Sequence, residues 1–382
     1  MKIIAFYLPQ FHRTPENDEW WGEGFTEWEN MKSAKPLFEG HYQPRVPLGN
    51  KYYNLLDVKN IEWQTQIAKE YGIYGFCCYH YWFGGKMLLE KPMELYLQNR
   101  RCDLPFCFSW ANETWTNAWA TENESNRKIL IKQEYGDKDE WEEHFQYLLP
   151  FFKDERYIKE GNKPLFVIYR PQYIPKLNER LSYYNKRAVE EGFDGLVFAS
   201  QHVSFLAEKD ADRSMFKYQI EYQPGFAFYD MDSWMQKRMS IWKQNAQIWA
   251  RDHLKYFSSI KRAKLQIISY DDVWRTILKR KAKPNHIPGA FVNWDNTPRY
   301  KEKGKVLVGS TPEKFQGYME RQLRRAIDEY KSEYLFIFAW NEWSEGGYLE
   351  PDEKYKYEYL EAIKGCIDAL STKGEQNESA SN

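Results

Sequence analysis

Eight short apolar runs, each bounded by Gly, Pro or charge and each followed by a longer helical pattern, constrain this chain most. They are Lys2–Leu8, Ile73–Trp82, Leu104–Trp110, Pro164–Tyr169, Leu196–Ser200, Phe216–Glu221, Gly289–Trp294 and Tyr334–Trp340. The runs are continuous rather than alternating, the pattern of parallel strands covered on both faces. Between them, Val58, Ile61, Thr65, Ala68 and Tyr71 fall on one helical face, with Gly72 as a stop. Thr311-Pro312-Glu313 opens another helix with a cap, a proline and an acidic first turn, followed by the stripe Phe315, Tyr318, Met319, Leu323, Ile327 and Tyr330. Eight strands with interposed helices predict an α/β fold, a (β/α)8 TIM barrel with long loops at its C-terminal face. No Gly-rich phosphate loop opens the first helix, which weakens the doubly wound alternative. A plain barrel needs about 250 residues, so the surplus of this 382-residue chain goes into loops, chiefly Pro9–Lys51 and Pro224–Lys264. Residues 1–370 read as one catalytic domain, and Ser371–Asn382 as a polar, disordered tail.

Charge excludes several classes. Fifty-four Lys+Arg against 55 Asp+Glu leave no basic field for nucleic acid. No stretch approaches the roughly 20 apolar residues of a membrane helix, and MKIIAFYLPQFH lacks the long apolar core and cleavage site of a secretory signal, so a cytoplasmic protein is expected. The five cysteines show no second Cys/His pair at ligand spacing and read as reduced thiols buried in strands. No metal and no cofactor is expected. Ser269-Tyr270-Asp271-Asp272, the nearest approach to an acidic metal motif, reads as a helix cap. Lone histidines such as His144 and His253 read as surface residues without a role. The 16 Trp and 29 Tyr each bring a polar group that needs a partner, which suggests a large half-polar surface for a ligand with apolar and hydroxylated faces.

In a barrel of this kind, catalytic groups lie at the C-terminal ends of strands. Strand eight ends Trp340-Asn341-Glu342-Trp343-Ser344-Glu345. Two carboxylates three residues apart in a helical turn face one side, with Cβ atoms about 5–6 Å apart. That suits retaining glycoside hydrolysis, where the carboxyls are about 5–5.5 Å apart, better than the wider inverting arrangement. Close carboxylates cannot both ionise cheaply, so one pKa rises and the pair divides into acid and base. The plain alternative is a surface turn with two solvated glutamates. The other strand ends supply Tyr7 and His12, Tyr79, Tyr81 and Trp82, Trp110, Asn112 and Glu113, Tyr169 and Arg170, Glu221 and Tyr222, and Trp294, Asp295 and Arg299. Aromatic faces among amides and carboxylates match the mixed faces of a sugar.

The runs FYLPQFHRTPENDEWWGEGFTEWENM, HYQPRVPLG, YGIYGFCCYHYWF, FSWANETW, NWDNTPR and WNEWSEGGYLEPD resemble the WbsX-like family, classed as glycoside hydrolase family 99-like, from Met1 to about Leu370. A looser resemblance to the family 99 endo-α-1,2-mannosidases rests on the barrel and on Asn341-Glu342-Trp343-x-Glu345-Gly346. The resemblance implies a carbohydrate substrate, α-mannoside-like in the distant relatives, and catalysis by Glu342 and Glu345 with no cofactor. By it, Glu342 would be the base on the sugar 2-hydroxyl, which attacks its own anomeric carbon to give a 1,2-anhydro sugar. Glu345 would protonate the departing oxygen and then activate water. Carboxyl spacing alone fits a covalent glycosyl-enzyme equally well. Within the resembling motifs, Glu27, His41, Trp340, Asn341 and Trp343 complete the candidate substrate-binding set. The competing readings are a glycosyltransferase or transglycosylase of polysaccharide assembly and a non-catalytic carbohydrate-binding barrel.

Overall fold

The apolar runs become strands with both faces covered, and in the second, third and eighth every residue is buried. The computed structural model describes residues 1–117, 128–202, 212–231 and 265–379, with side chains described as far as Leu370 at the C-terminal end. We label the strands β1 (Lys2–Tyr7), β2 (Gly75–Trp82), β3 (Phe106–Trp110), β4 (Lys163–Ile168), β5 (Val197–His202), β6 (Phe216–Glu221), β7 (in two pieces, His286–Ile287 and Gly289–Phe291) and β8 (Tyr334–Phe338). All neighbours pair in parallel. The first piece of β7 pairs with β6 and the second with β8, so the sheet closes on itself. The expected barrel is therefore present.

The break in β7 has a local cause. Pro288 has no N–H to give to a ladder, and Gly289 passes so close to β6 that a Cβ there would sit 1.7 Å from the carbonyl oxygen of Glu221. Inside the barrel, the Phe6 ring meets Tyr79, Tyr222 and Phe336 at centroid distances of 5.8, 5.2 and 5.6 Å.

The outer helices are α1 (Val58–Glu70), α2 (Lys91–Gln98), α3 (Lys138–Lys153), α4 (Leu177–Glu190), α5 (Tyr270–Lys279), α6 (Pro312–Asp328) and α7 (Glu358–Ser379). The caps expected at Ser269 and Thr311 form, accepting from the amides of Asp272 and Lys314, and Asp57 likewise accepts from the Lys59 amide. On α1 the buried face is Ile61, Gln64, Thr65, Ile67 and Ala68, with Val58 and Tyr71 only half-buried. On α6, Ile327 of the expected stripe is 43% exposed. Helix α7 runs past Ser371 to Ser379, where a disordered tail was expected, and 380–382 lie outside the described residues.

His144 departs from expectation: it lies on the inner face of α3 and is fully buried. Trp82 stacks on its ring at 4.7 Å, its Nε2 lies 2.9 Å from Nε2 of His80, and the Tyr184 hydroxyl meets its Nδ1 at 2.8 Å. Burial pushes both histidines below their ordinary value, His80 to about 3. His253 and most of the expected loop Pro224–Lys264 lie outside the described residues. All five cysteines are free and buried; Cys77, Cys78 and Cys107 are in strands, Cys102 lies in a loop and Cys366 on α7. Among the described residues no helix is long and apolar enough to cross a membrane.

Candidate active site

Beyond β8 the chain forms a small hairpin. Asn341–Glu342 pairs antiparallel with Gly347–Tyr348, and a single 3-10 turn, Trp343–Glu345, connects them. Side chains three apart eclipse in such a turn, which brings Glu342 and Glu345 to one side. Gly346 closes the turn at φ +65°, a left-handed conformation that glycine adopts without strain. Asn341 fixes the hairpin to the barrel, its side chain accepting from the Leu8 amide at 2.8 Å and donating to the Leu8 carbonyl at 3.0 Å.

Arg299 lies between the two glutamates. Its Nη1 donates to Glu345 at 3.3 Å, its Nη2 to Glu342 at 3.4 Å, and a third carboxylate, Glu27 from the first loop, lies 3.1 Å from Nη2. The Arg299 loop is itself anchored. The Asp295 amide donates to the Glu345 carbonyl at 2.7 Å, and the Asp295 carboxylate accepts from His41, Gln43 and Thr297. Burial would raise that carboxyl, but His41, the Arg45 charge and the other donors hold it down at about 2. The glutamates behave oppositely. Burial pushes Glu342 well above the usual carboxylate range, and Glu345 and Glu27 push it the same way, while Arg299 pulls it back. Glu345, whose side chain is 21% exposed against 6% for Glu342, is also raised by burial, with Arg299 opposing.

These groups form the floor of a cleft of about 490 Å³ at the C-terminal face of the barrel. It is lined by Glu27, Tyr79, Tyr81, Glu113, Tyr169, Tyr222, Trp294, Arg299, Glu342 and Glu345 of the expected set. Tyr79 and Tyr222 meet at their hydroxyls at 3.3 Å, and Gln201 donates to the Tyr79 hydroxyl at 3.0 Å. Loop residues that strand-end reasoning did not single out as ligands also line it: Gln10, Asn17, Trp20, Trp21, Thr114, Trp115, Phe228 and Tyr300. Trp115 packs edge-on against Tyr81 at 5.1 Å and Trp20 at 6.1 Å, and Trp294 against Phe228 at 5.8 Å.

The other expected residues do not line the cleft, and each has a different employment. Tyr7 donates to Gln64, Trp82 to Glu140 and Trp110 to the Trp82 carbonyl. His41 and Asp295 hold each other, and Asn112 clamps the Arg170 backbone through its N–H and carbonyl. Arg170 donates to Glu113 at 2.5 Å while its guanidinium covers the Tyr169 ring at 4.5 Å, so it orients cleft residues from behind. Glu221 accepts from Tyr330 and pairs with His286. Trp340 packs on Phe76, Asn341 grips Leu8 just beyond β1, and Trp343 stacks on Tyr348 at 3.8 Å. His12 is buried off the cleft, and burial pushes it down to about 4. The reason is general: a polar aromatic at a strand end braces the rim as readily as it faces a ligand. Sequence reasoning also passed over Glu350, a buried carboxyl behind the hairpin. Among the described residues no three His, Cys, Asp or Glu side chains are grouped to hold a metal ion.

Solved structures share this architecture. The GH99 endo-α-mannosidase from Bacteroides thetaiotaomicron superposes with a TM-score of 0.54 at 15% identity, covering 97% of each chain. A glycoside hydrolase-like protein gives 0.52 at 10% identity over 96% of this chain and 93% of that one. In sequence, the uncharacterized protein WxcX of Xanthomonas campestris pv. campestris is 31% identical over 370 residues, 96% of this chain. The chain spans about half the length of that relative, 49%. The family profile described as Glycosyltransferase WbsX matches residues 3–363, and the chain belongs to that family.

Proposed function

We propose that this chain is a retaining glycoside hydrolase acting on a bacterial polysaccharide or oligosaccharide, with residues 1–370 as one catalytic domain and Glu342 and Glu345 dividing the acid and base work. The observation that carries the reading is the floor of the cleft: two carboxyls, both raised by burial, held on one guanidinium beneath aromatic walls. Two close carboxyls raised by burial can divide into the acid and the base this chemistry needs.

Two routes use the pair. In the epoxide route, Glu342 removes the proton of the sugar 2-hydroxyl, and O2 attacks C1. The C1–leaving-group bond then breaks as Glu345 protonates the departing oxygen. Water, deprotonated by Glu345, opens the 1,2-anhydro ring, and Glu342 returns its proton to O2. In the covalent route, Glu345 attacks C1 as the leaving-group bond breaks and Glu342 protonates the departing oxygen; water, deprotonated by Glu342, then displaces Glu345 from C1. Burial raises both carboxyls and Arg299 opposes the rise in both, so either glutamate can begin as the acid in these routes. A 2-deoxy-2-fluoro glycoside separates them: a trapped ester on Glu345 supports the covalent route, and complete inertness supports the epoxide route.

The function itself is tested by release of reducing ends from a glycan panel. Glu342→Gln and Glu345→Gln should each abolish release, and full activity in both would overturn the site. The family's description favours a second reading, a glycosyltransferase or transglycosylase, in which a sugar hydroxyl replaces water. Calorimetric binding of a nucleotide sugar, with transfer dependent on it, would decide for a transferase.

A further inference from the structure

The floor of the cleft holds three carboxylates against one guanidinium, and the third has contacts that the paired glutamates lack. Glu27 opens the short first-loop helix Glu27–Ser33, and its Oε2 takes Nε and Nη2 of Arg299 at 3.3 and 3.1 Å. The same oxygen accepts from the Ser344 hydroxyl at 2.5 Å. Ser344 lies in the turn between Glu342 and Glu345. Glu27 therefore touches both the cation that balances the pair and the backbone turn that carries it. It meets Arg299 through two nitrogens, and its nearer contact, 3.1 Å, is shorter than the single contacts of Glu342 and Glu345, at 3.4 and 3.3 Å. A cation shared three ways neutralises each partner incompletely, and the nearest partner takes the largest share.

We propose that Glu27 is a positioning residue for the pair: it draws Arg299 away from Glu342 and Glu345, and it fixes their turn through Ser344. This rests on the catalytic reading of Glu342 and Glu345, but its central test does not require turnover. The charged and titratable groups facing the pair are Arg299 beyond β7, Glu27 from the first loop, Tyr81 at the end of β2, Tyr169 beyond β4 and Tyr222 beyond β6. Burial raises the three tyrosines, which keeps them neutral. Glu27 and Arg299 are thus the only two of these whose charge sets the proton balance of the pair.

The two roles separate by substitution. Glu27→Gln removes the charge and keeps the size, whereas Ser344→Ala removes the grip on the turn and leaves the charge. The experiment is an NMR titration of 13C-labelled glutamate side chains, with the raised carboxyl signals assigned by their loss in Glu342→Gln and Glu345→Gln. In Glu27→Gln the pair's upper titration should fall by about one pH unit or more; in Ser344→Ala it should stay within about 0.3 unit of wild type. Glu27→Asp, which sets the carboxylate one methylene further from Arg299, should fall in between and covers the case in which Glu27→Gln does not fold. An unmoved titration in Glu27→Gln and Glu27→Asp, or an equal shift in Ser344→Ala, would overturn the proposal. If the titration moves as stated while Glu342→Gln and Glu345→Gln still cleave glycan, the catalytic reading fails and the proton balance stands. Once a substrate is in hand, the alkaline limb of kcat/KM should move with the NMR value in Glu27→Gln and not in Ser344→Ala.

Discussion

The indole Nε1 of Trp343 donates to the Glu350 carboxylate at 2.6 Å, which ties the turn bearing the two glutamates to a fourth, buried carboxyl. Glu350 also accepts from the Tyr53 hydroxyl and from Gln64, whose own carbonyl accepts from Tyr7. Burial pushes Glu350 up to about 7 although these donors act to lower it. A carboxyl raised on folding contributes stability that is fully present below its unfolded value, about 4.5, and is lost as pH rises through about 7. Glu350→Gln should therefore flatten the unfolding free energy between pH 4.5 and 7 by up to about 3 kcal/mol. Urea titrations across that window check this, and an unchanged slope would place the titration elsewhere.

Glu342 and Glu345 carry the same sign. Both are raised by burial, so both weaken the fold as pH rises. Glu342→Gln and Glu345→Gln should melt above wild type at pH 8 and lose that advantage at pH 4. Turnover should fall about 10²–10⁴-fold in each. Calorimetric melts at the two pH values, set beside glycan release, test this exchange of stability for activity.

The walls of the cleft give a kinetic prediction. Trp294 Nε1 is buried with no acceptor among the described residues, a state that costs free energy unless a ligand or water meets it. Trp294→Phe keeps a ring and removes that donor, and kcat/KM should drop about tenfold. Trp115→Ala removes a wall that reacts with nothing, so KM should rise about tenfold with kcat held within about twofold. Equal loss of kcat in both variants would contradict this division.

Closure of the barrel depends on Gly289, where an added Cβ would collide with the Glu221 carbonyl oxygen. Gly289→Ala should cost about 3 kcal/mol or more, because backbone rather than a flexible side chain would have to move. Gly317→Ala, on α6 with nothing within 4 Å of the added atom, should instead stabilise by about 0.5–1 kcal/mol. Paired denaturation curves decide both.

Much of this fold was legible because a parallel strand covered on both faces writes itself as an unbroken apolar run, as in Gly75–Trp82 and Tyr334–Phe338. The position of Glu342 and Glu345 followed from barrel logic, and their common side from a turn of three residues. What sequence could not separate was which face each polar strand-end residue would turn to the cleft. Strand alternation puts Tyr79 and Tyr81 on one face of β2 and Trp82 on the other, but not which face looks into the cleft: the tyrosines line it, and Trp82 turns outward to Glu140 and His144. His144 itself looked solitary because the partners that bury it, His80, Trp82 and Tyr184, come from β2 and α4. Gln10, Trp20 and Trp115 reach the cleft through loops whose course depends on non-local packing, such as Trp28 against Phe11 and Trp343 at 4.4 and 5.7 Å. Glu350 carries no local signal, since its donors lie 286 to 297 residues away or across the hairpin.

The handover at Pro288 gives the barrel wall a seam. Below it the seventh strand is laced to β6, and above it only to β8. Trp294, Asp295 and Arg299 all emerge from the upper piece, on the same lacing as the hairpin of Glu342 and Glu345, and the Asp295–Glu345 backbone bond stitches the two together again beyond the strands. Tyr222 emerges from β6, on the far side of the seam. The guanidinium and the two carboxyls it holds thus ride on one continuous piece of sheet, and Tyr222 faces them from across the seam.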